Sequence, residues 1–115
     1  MIAALVLAVV VAVAQGCPDR YSSVGTMCVH PHRIQSTYAE AYSLCRLMRS
    51  QLAAPTTDAD KLALSTFLQT LNLNDSFYVK GPAGLGLCSI FVKGEGYEQQ
   101  STKCENANYF VCQKN

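Results

Sequence analysis

Six cysteines constrain the fold of this 115-residue chain more than any other feature. An even number of cysteines in a short chain is typical of a disulfide framework, and no two are spaced as Cys-x-x-Cys, as in zinc ribbons or thioredoxin-type redox sites. We therefore expect three disulfides, although spacing alone leaves fifteen connectivities open. Because a bridge that closes a long loop contributes roughly 3 to 5 kcal/mol, reduction should unfold the domain. The cysteines are Cys17, Cys28, Cys45, Cys88, Cys104 and Cys112.

Residues 1–14 predict a cleaved signal peptide. Residues 2–14 are wholly apolar, and Ala12 and Ala14 supply the small side chains required three positions and one position before the cleaved bond. A membrane anchor is the alternative, but a helix of this length reaches only about 20 Å across a hydrocarbon layer of about 30 Å. We therefore expect cleavage before Gln15, a secreted mature domain over residues 15–115, and no membrane span in the mature chain.

The charge balance argues against a nucleic-acid partner recognised through bulk charge. Nine Lys and Arg stand against eight Asp and Glu, and the formal net charge is +1. The sequence also shows no nucleophile paired with a base in a recognisable context. We therefore expect no enzymatic activity and no cofactor.

Two helices are predicted in the first two thirds of the chain. Thr37 and Glu40 have the spacing of a capping box, and an apolar stripe follows, which predicts a helix over residues 37–49. Thr57, with an acidic residue three positions later, begins a second helix over residues 58–71, whose apolar residues recur at the spacing of a buried face.

Short strands are predicted around and after the helices. Residues 76–79, 89–92 and 109–112 are β-prone runs bounded by Gly, Pro and Asn, and residues 21–29 have similar character. Pro55 separates the helices, after a short extended segment at 51–54. The pattern indicates an α+β domain of two helices and short antiparallel strands, stapled by three disulfides.

From Cys17 to Cys112 the chain resembles the C-type lectin-like domain family. The segment CPDRY (17–21), followed by Cys28, is similar to the N-terminal hairpin of the long form of that fold. The segment TYAEAYSLC (37–45) is similar to the first helix of the family, with Tyr38 in place of Trp.

The remaining family motifs follow in order. The segment QLA (51–53) resembles the extended segment after the first helix, and Cys104 with YFVC (109–112) resembles the closing strand. The resemblance implies the C-type lectin-like fold. It also implies three disulfide pairs: Cys17 with Cys28, Cys45 with Cys112, and Cys88 with Cys104.

The long loop that carries calcium and sugar ligands in the sugar-binding members is nearly absent from this chain. After the strand equivalent at 77–81, only residues 82–87 precede the next cysteine. The family's Trp-Asn-Asp element corresponds to QQS at 99–101, which has no carboxylate. Calcium requires about six to eight oxygen ligands, and only Glu95 and Glu98 lie near. We therefore expect no calcium-dependent sugar binding and no metal site.

His30 and His32 are a second candidate for metal binding. Alternate residues of a strand share one face, so two imidazoles could ligate one ion. A surface turn is the preferred interpretation, because Pro31 interrupts regular strand pairing and no further ligand lies close in sequence.

Asn74 begins an Asn-x-Ser sequon at a predicted helix-to-strand turn. In an exported chain this pattern predicts N-glycosylation, and an Asx turn is the alternative.

Four residues near the shortened loop form a candidate ligand-binding patch: Lys80, Leu85, Leu87 and Tyr97. They would combine a cation, an aromatic ring and apolar side chains. The alternative is that these residues only close loops.

The preferred function is that of a secreted C-type lectin-like recognition module, which binds an extracellular protein or a cell-surface ligand without calcium. One alternative is a carbohydrate-binding lectin in innate defence that holds a glycan at another surface. Another is a structural subunit of an extracellular assembly. The sequence leaves the oligomeric state open.

Overall fold

Two helices and seven strands make up the structure, a computed structural model that describes residues 16–71, 75–93 and 97–114. The helices are α1 (Tyr38–Leu47) and α2 (Asp58–Thr70). The strands are β1 (Ser22–Val24), β2 (Met27–Ser36), β3 (Gln51–Leu52), β4 (Phe77–Tyr78), β5 (Leu87–Lys93), β6 (Tyr97–Lys103) and β7 (Asn108–Lys114). The predicted signal peptide and the sequon residue Asn74 lie outside the described residues. Neither helix is long and apolar enough to cross a membrane.

Both helices begin where the sequence predicts. The hydroxyl of Thr37 accepts the N–H of Glu40 at 3.3 Å, and the Glu40 carboxylate accepts the N–H of Thr37 at 2.8 Å. This reciprocal pair is the predicted capping box, and it satisfies two backbone donors that α1 leaves without helical partners. Thr57 caps α2, because its hydroxyl accepts the N–H of Asp60 at 3.1 Å.

The strands form one sheet with β7 near its middle. The order is β1-β2-β7-β4-β5-β6, and β3 also pairs with β7. All strand pairs are antiparallel except β4 with β7, which run parallel. The expectation of antiparallel strands alone is therefore wrong at one pair. The chain leaves β4, makes the β5–β6 hairpin, and returns to β7 in the direction of β4.

Strand β2 is longer than the sequence predicts and contains the His-Pro-His segment. His30, Pro31 and His32 pair in register with Cys112, Val111 and Phe110 of β7, so the surface-turn interpretation is wrong. The strand tolerates Pro31 because β1 pairs only with residues 27–29. Beyond that point β2 has β7 as its one partner in the described sheet, and the missing N–H of proline is acceptable on an open edge.

Strand β6 was not predicted. Its sequence YEQQSTK is polar, yet it pairs with β5 along its whole length, from Tyr97 opposite Lys93 to Lys103 opposite Leu87. It is the last strand in the sheet order, where polar side chains are solvated and discourage further strand addition.

The core is divided between the two faces of the sheet, because successive strand residues point to opposite sides. Phe77 lies in one cluster with Leu64 of α2, and its neighbour Tyr78 lies in the other with Ala41 of α1. The sheet thus packs against one helix on each face. All four side chains are fully buried.

Three disulfides pair all six cysteines. The bridges are Cys17–Cys28, Cys45–Cys112 and Cys88–Cys104, which are the pairs that the resemblance implies. The second fastens α1 to β7 across 67 residues, and the third fastens β5 to the turn after β6.

The Tyr78 hydroxyl anchors the same turn. It lies within hydrogen-bond distance of three backbone carbonyls, those of Lys103, Cys104 and Asn106. Its ring meets Tyr38 edge-on with centroids 5.5 Å apart. Tyr78 therefore stands in the core with its polar end bound to the chain around Cys104, and burial raises its pKa.

Candidate functional site

The connection between β4 and β5, with the first residue of β5, carries three of the four residues of the predicted ligand patch, Lys80, Leu85 and Leu87. Its base is fixed because the N–H of Val79 donates to the Ser89 carbonyl at 3.1 Å and the N–H of Lys80 donates to the Ala53 carbonyl at 2.8 Å. From there, residues 80–87 are all exposed. Leu85 is fully exposed, at 105%, and Leu87 is 40% exposed. Two leucines and Lys80 are thus exposed on one loop. We call residues 80–87 the leucine loop.

A neutral hydrogen bond forms the support beneath this loop. The side-chain amide of Gln99 donates to the Ser89 hydroxyl at 2.8 Å, and Ser89 is only 1% exposed. A Cβ atom on Gly81 would lie 2.5 Å from the Gln99 amide nitrogen, so only glycine fits there without displacement. Gln99 stands where the resembled family has Trp, and here it packs against the backbone of the leucine loop.

Tyr97 does not join the predicted patch. Its side chain is 4% exposed and packs edge-on against Phe77 at 6.0 Å, while its backbone N–H donates to the Ser65 hydroxyl at 2.9 Å. The register explains the separation, because Tyr97 and Leu87 lie at opposite ends of the β5–β6 hairpin. At about 3.3 Å per residue these ends are about 20 Å apart.

No group of three or more His, Cys, Asp or Glu side chains is arranged to hold a metal ion within residues 16–71, 75–93 and 97–114. Of the two carboxylates that the sequence places near the shortened loop, Glu98 is exposed on β6 and Glu95 lies outside those ranges. The leucine loop itself contains no Asp or Glu.

The two histidines of β2 do share a face, with ring centroids 4.5 Å apart. His32 stacks on Phe110 at 5.0 Å, and its buried Nε2 atom has no hydrogen-bond partner within the described part of the chain. Burial, and secondly the nearby charge of His30, lower the pKa of His32 to about 4. His32 is therefore neutral at pH 7. The Nδ1 atom of His30 bonds the Arg20 carbonyl at 2.7 Å, which fixes the ring at the edge of the sheet.

A surface depression that the sequence-based reasoning missed lies at the C-terminal end of α1. Its volume is about 510 Å³. Six polar residues line it, and we call it the basic pocket: Arg46, Arg49, Ser50, Gln51, Gln113 and Lys114. One signal was present in the sequence, because two arginines three positions apart lie in a stretch, residues 41–57, that contains no acidic residue. Lys114 lies much later in the chain and joins them through the pairing of β3 with β7 and the neighbouring Cys45–Cys112 disulfide.

Solved structures with the same fold were found, whereas no family model and no curated protein matches the sequence. Human lithostathine superposes with a TM-score of 0.74 at 17% identity, over 86% of this chain and 100% of that one. EMS16, an antagonist of the collagen receptor integrin α2β1, gives 0.69 at 17% identity, over 84% and 98%. The C-type lectin domain of murine dendritic cell inhibitory receptor 2, in complex with N-glycan, gives 0.67 at 16% identity, over 87% and 99%. These similarities show that the described domain has the C-type lectin-like fold.

Proposed function

We propose that the chain is a secreted recognition module that binds an extracellular protein or cell-surface ligand through the leucine loop, without calcium and without enzymatic activity. The observation that carries this proposal is the pair of exposed leucines on a short, anchored loop. Exposed apolar side chains on a rigid base provide the contact area that protein interfaces bury, and they provide no ligand for a cation.

Calcium independence is supported by the chemistry around the loop. The residues at the position of the family's Trp-Asn-Asp element, 99–101, are amides and a hydroxyl, and Gln99 already donates to Ser89. Neutral side chains of this kind can complete a calcium shell but do not supply the charge that holds the ion. The fold itself accommodates either ligand class, since one solved relative is an integrin antagonist and another is bound to N-glycan.

Secretion is supported by residues 1–14 and by the three disulfides, which persist in oxidising compartments. We propose cleavage before Gln15 and glycosylation at Asn74. All six cysteines are committed to bridges, so none is left to act as a nucleophile.

A cell-binding assay tests the proposal. Fluorescent protein comprising residues 15–115, with its disulfides formed, is applied to cultured cells of the source organism in millimolar calcium and in EDTA. We expect equal binding in both buffers, loss of binding after the cells are treated with protease, and at least a fivefold loss in Leu85→Ser. The matched control is Leu62→Ser on α2, because Leu62 is also exposed, at 69%, but lies away from the loop.

Three results would contradict the proposal. Binding that requires calcium, accompanied by a large rise in melting temperature on calcium addition, would show that the ion is a ligand. Competition by simple free sugars would favour the lectin alternative. An equal loss in Leu85→Ser and Leu62→Ser would show that the leucine loop is not the contact surface.

A further inference from the structure

Two of the three cations of the basic pocket lie over aromatic rings, and no such contact involves the third, Arg49, among the described residues. The Arg46 guanidinium lies 5.8 Å from the ring centroid of Tyr42, and the Lys114 ammonium lies 5.2 Å from that of Tyr21. Among the described residues, none of Arg46, Arg49 and Lys114 forms an ion pair within 4.0 Å. A ring face attracts a cation without occupying its N–H donors, so those donors stay available to a ligand.

Arg49 occupies a backbone conformation that normally selects glycine. Its φ is +60°, and it follows the C-cap Met48 of α1. The N–H of Arg49 donates to the Arg46 carbonyl at 3.0 Å, and the N–H of Ser50 donates to the Cys45 carbonyl at 2.9 Å. These two bonds define a Schellman motif, in which the left-handed residue is usually glycine because a Cβ atom is unfavourable there. An arginine at this position costs stability and places a guanidinium at the rim of the pocket.

Neutralisation of the α1 dipole does not explain why three cations line the basic pocket. The C-terminal end of a helix carries the equivalent of roughly half a negative charge, which a single arginine in the last turn is enough to balance. The pocket brings together three positive charges, and the carbonyls of Leu44, Cys45 and Arg46 already accept backbone hydrogen bonds. A surplus of positive charge therefore remains at the pocket, in a protein whose formal net charge is only +1.

The lining specifies the chemistry of a ligand. Guanidinium groups bind the oxygen pairs of sulfate and carboxylate groups through two parallel N–H donors. Gln51 adds a neutral amide of the kind that binds sugar hydroxyls, and no apolar side chain lines the depression. The Ser50 hydroxyl donates to the Cys45 carbonyl and the Gln113 side-chain carbonyl accepts the N–H of Ala54, so these two residues shape the wall of the pocket. Its volume of about 510 Å³ lies within the range of small-ligand sites. We propose that the basic pocket binds an anionic saccharide, which carries sulfate or carboxylate groups on a hydroxyl-rich ring.

This second site is independent of the leucine loop, because the two share no residue. It goes beyond the recognition function proposed above by assigning a distinct ligand class to the surface at the C-terminal end of α1. A protein with both sites would attach to a sulfated surface through the basic pocket and leave the leucine loop free for a second partner.

Heparin, a sulfated polysaccharide, is the probe for this proposal, and its fully desulfated form is the comparison. Oxidised protein comprising residues 15–115 is applied to immobilised heparin and eluted with sodium chloride, and dissociation constants are measured with a labelled heparin oligosaccharide. The pocket variant carries Arg46→Gln, Arg49→Gln and Lys114→Gln. The control variant loses the same three charges elsewhere on the surface, at Arg33→Gln, Lys61→Gln and Lys103→Gln.

We expect the wild type and the control variant to bind heparin within twofold of each other. The pocket variant should bind at least tenfold more weakly and elute at lower salt, and desulfated heparin should compete poorly. Leu85→Ser should leave heparin binding unchanged, which separates failure at this site from failure of the leucine loop. Circular dichroism checks that each variant is folded.

Each opposing result overturns the proposal. Equal weakening of the two triple variants would show attraction by overall charge alone. A poly-glutamate peptide that competes as well as heparin would show that the pocket selects an acidic chain and not a saccharide. Absence of heparin binding by the folded wild type would exclude the site.

Discussion

The carboxylate of Asp60 accepts two hydrogen bonds from Thr26, one from its backbone N–H at 2.9 Å and one from its hydroxyl at 2.7 Å. Thr26 belongs to the turn between β1 and β2, and Asp60 to the first turn of α2, so these bonds hold the N-terminal hairpin against the helix. Gly25, with φ +60°, lies against the same carboxylate, and a Cβ atom there would clash with it. Asp60 is 5% exposed, so solvent has little access to the hydrogen bonds that link the hairpin to α2.

Acid should weaken the contact between Asp60 and Thr26. The hydrogen bonds from the Thr26 N–H and hydroxyl hold the pKa of Asp60 below its ordinary value of 3.8. Because the folded pKa is the lower one, the stabilisation is complete above the unfolded pKa and is lost as the pH falls through the folded pKa. We expect Asp60→Asn to melt at a lower temperature than wild type at pH 7. Its melting temperature should also fall less between about pH 5 and about pH 2.5.

Asp58→Asn is the matched control, since Asp58 is exposed in the same helical turn. Thermal unfolding followed by circular dichroism over the same pH series should give a curve close to wild type for this variant. If both variants flatten the pH dependence equally, the effect belongs to the charge at the start of α2 and not to the bonds with Thr26.

Removal of the Tyr78 hydroxyl should destabilise the turn that holds Cys104. Tyr78→Phe leaves the surrounding carbonyls without this donor, and we expect a loss of about 1 to 2 kcal/mol in the free energy of unfolding. Urea denaturation of the oxidised protein measures the loss. Tyr109→Phe is the control, because the Tyr109 ring packs against another core ring, that of Phe77, and no hydrogen bond of its hydroxyl is present among the described residues. Equal effects would mean that the Tyr78 hydroxyl has no special role.

A methyl group on Gly81 should disturb the support of the leucine loop. In Gly81→Ala the new carbon would displace the end of the Gln99 side chain from its hydrogen bond with Ser89, and we expect a cost of about 1 kcal/mol. The double variant Gly81→Ala with Gln99→Ala should recover part of that loss, which a double-mutant cycle measures as coupling. In Gly84→Ala the nearest atom is the flexible end of Leu87, so this control should be close to neutral. Strict additivity of the two changes would contradict the contact.

Glycine at position 49 should make the protein more stable and a weaker heparin binder. Arg49→Gly relieves the left-handed strain, and we expect a gain of about 1 kcal/mol in the free energy of unfolding. Arg49→Ala keeps a Cβ atom and should show no such gain, while both substitutions should weaken heparin binding to a similar degree. Urea denaturation and heparin elution separate the two effects. A less stable Arg49→Gly variant would show that the arginine is retained for folding.

The local features of the fold were accessible from the sequence. Caps such as Thr37 with Glu40 lie within one helical turn, so their spacing is visible in the chain itself. The sequence also places Asp60 three residues after the cap Thr57, but not its contact with Thr26, 34 residues earlier. The strand β6 escaped prediction because its polar residues are held by pairing with β5, not by their own preference for extended structure.

The candidate sites show the same difference between residues that are close in the sequence and residues that only the fold brings together. Leu85 and Leu87 lie together because one residue separates them in a short loop, and their role in ligand binding stays a prediction. Tyr97 was placed with them on proximity in the sequence, whereas the hairpin carries it to the far end of β6 and into the core. The basic pocket requires residues 46–51 and 113–114 to meet, which the pairing of β3 with β7 and the Cys45–Cys112 disulfide bring about.

The position of β7 has a consequence for biosynthesis. Chains emerge from the ribosome N-terminus first, and β7 is the last of the seven strands to emerge, yet it pairs with β2, β3 and β4. Before β7 emerges, the nascent chain can therefore form only its helices and the strand pairs β1–β2, β4–β5 and β5–β6. Cys45 must wait for Cys112, 67 residues later, so its sulfur stays open to wrong partners until β7 has emerged.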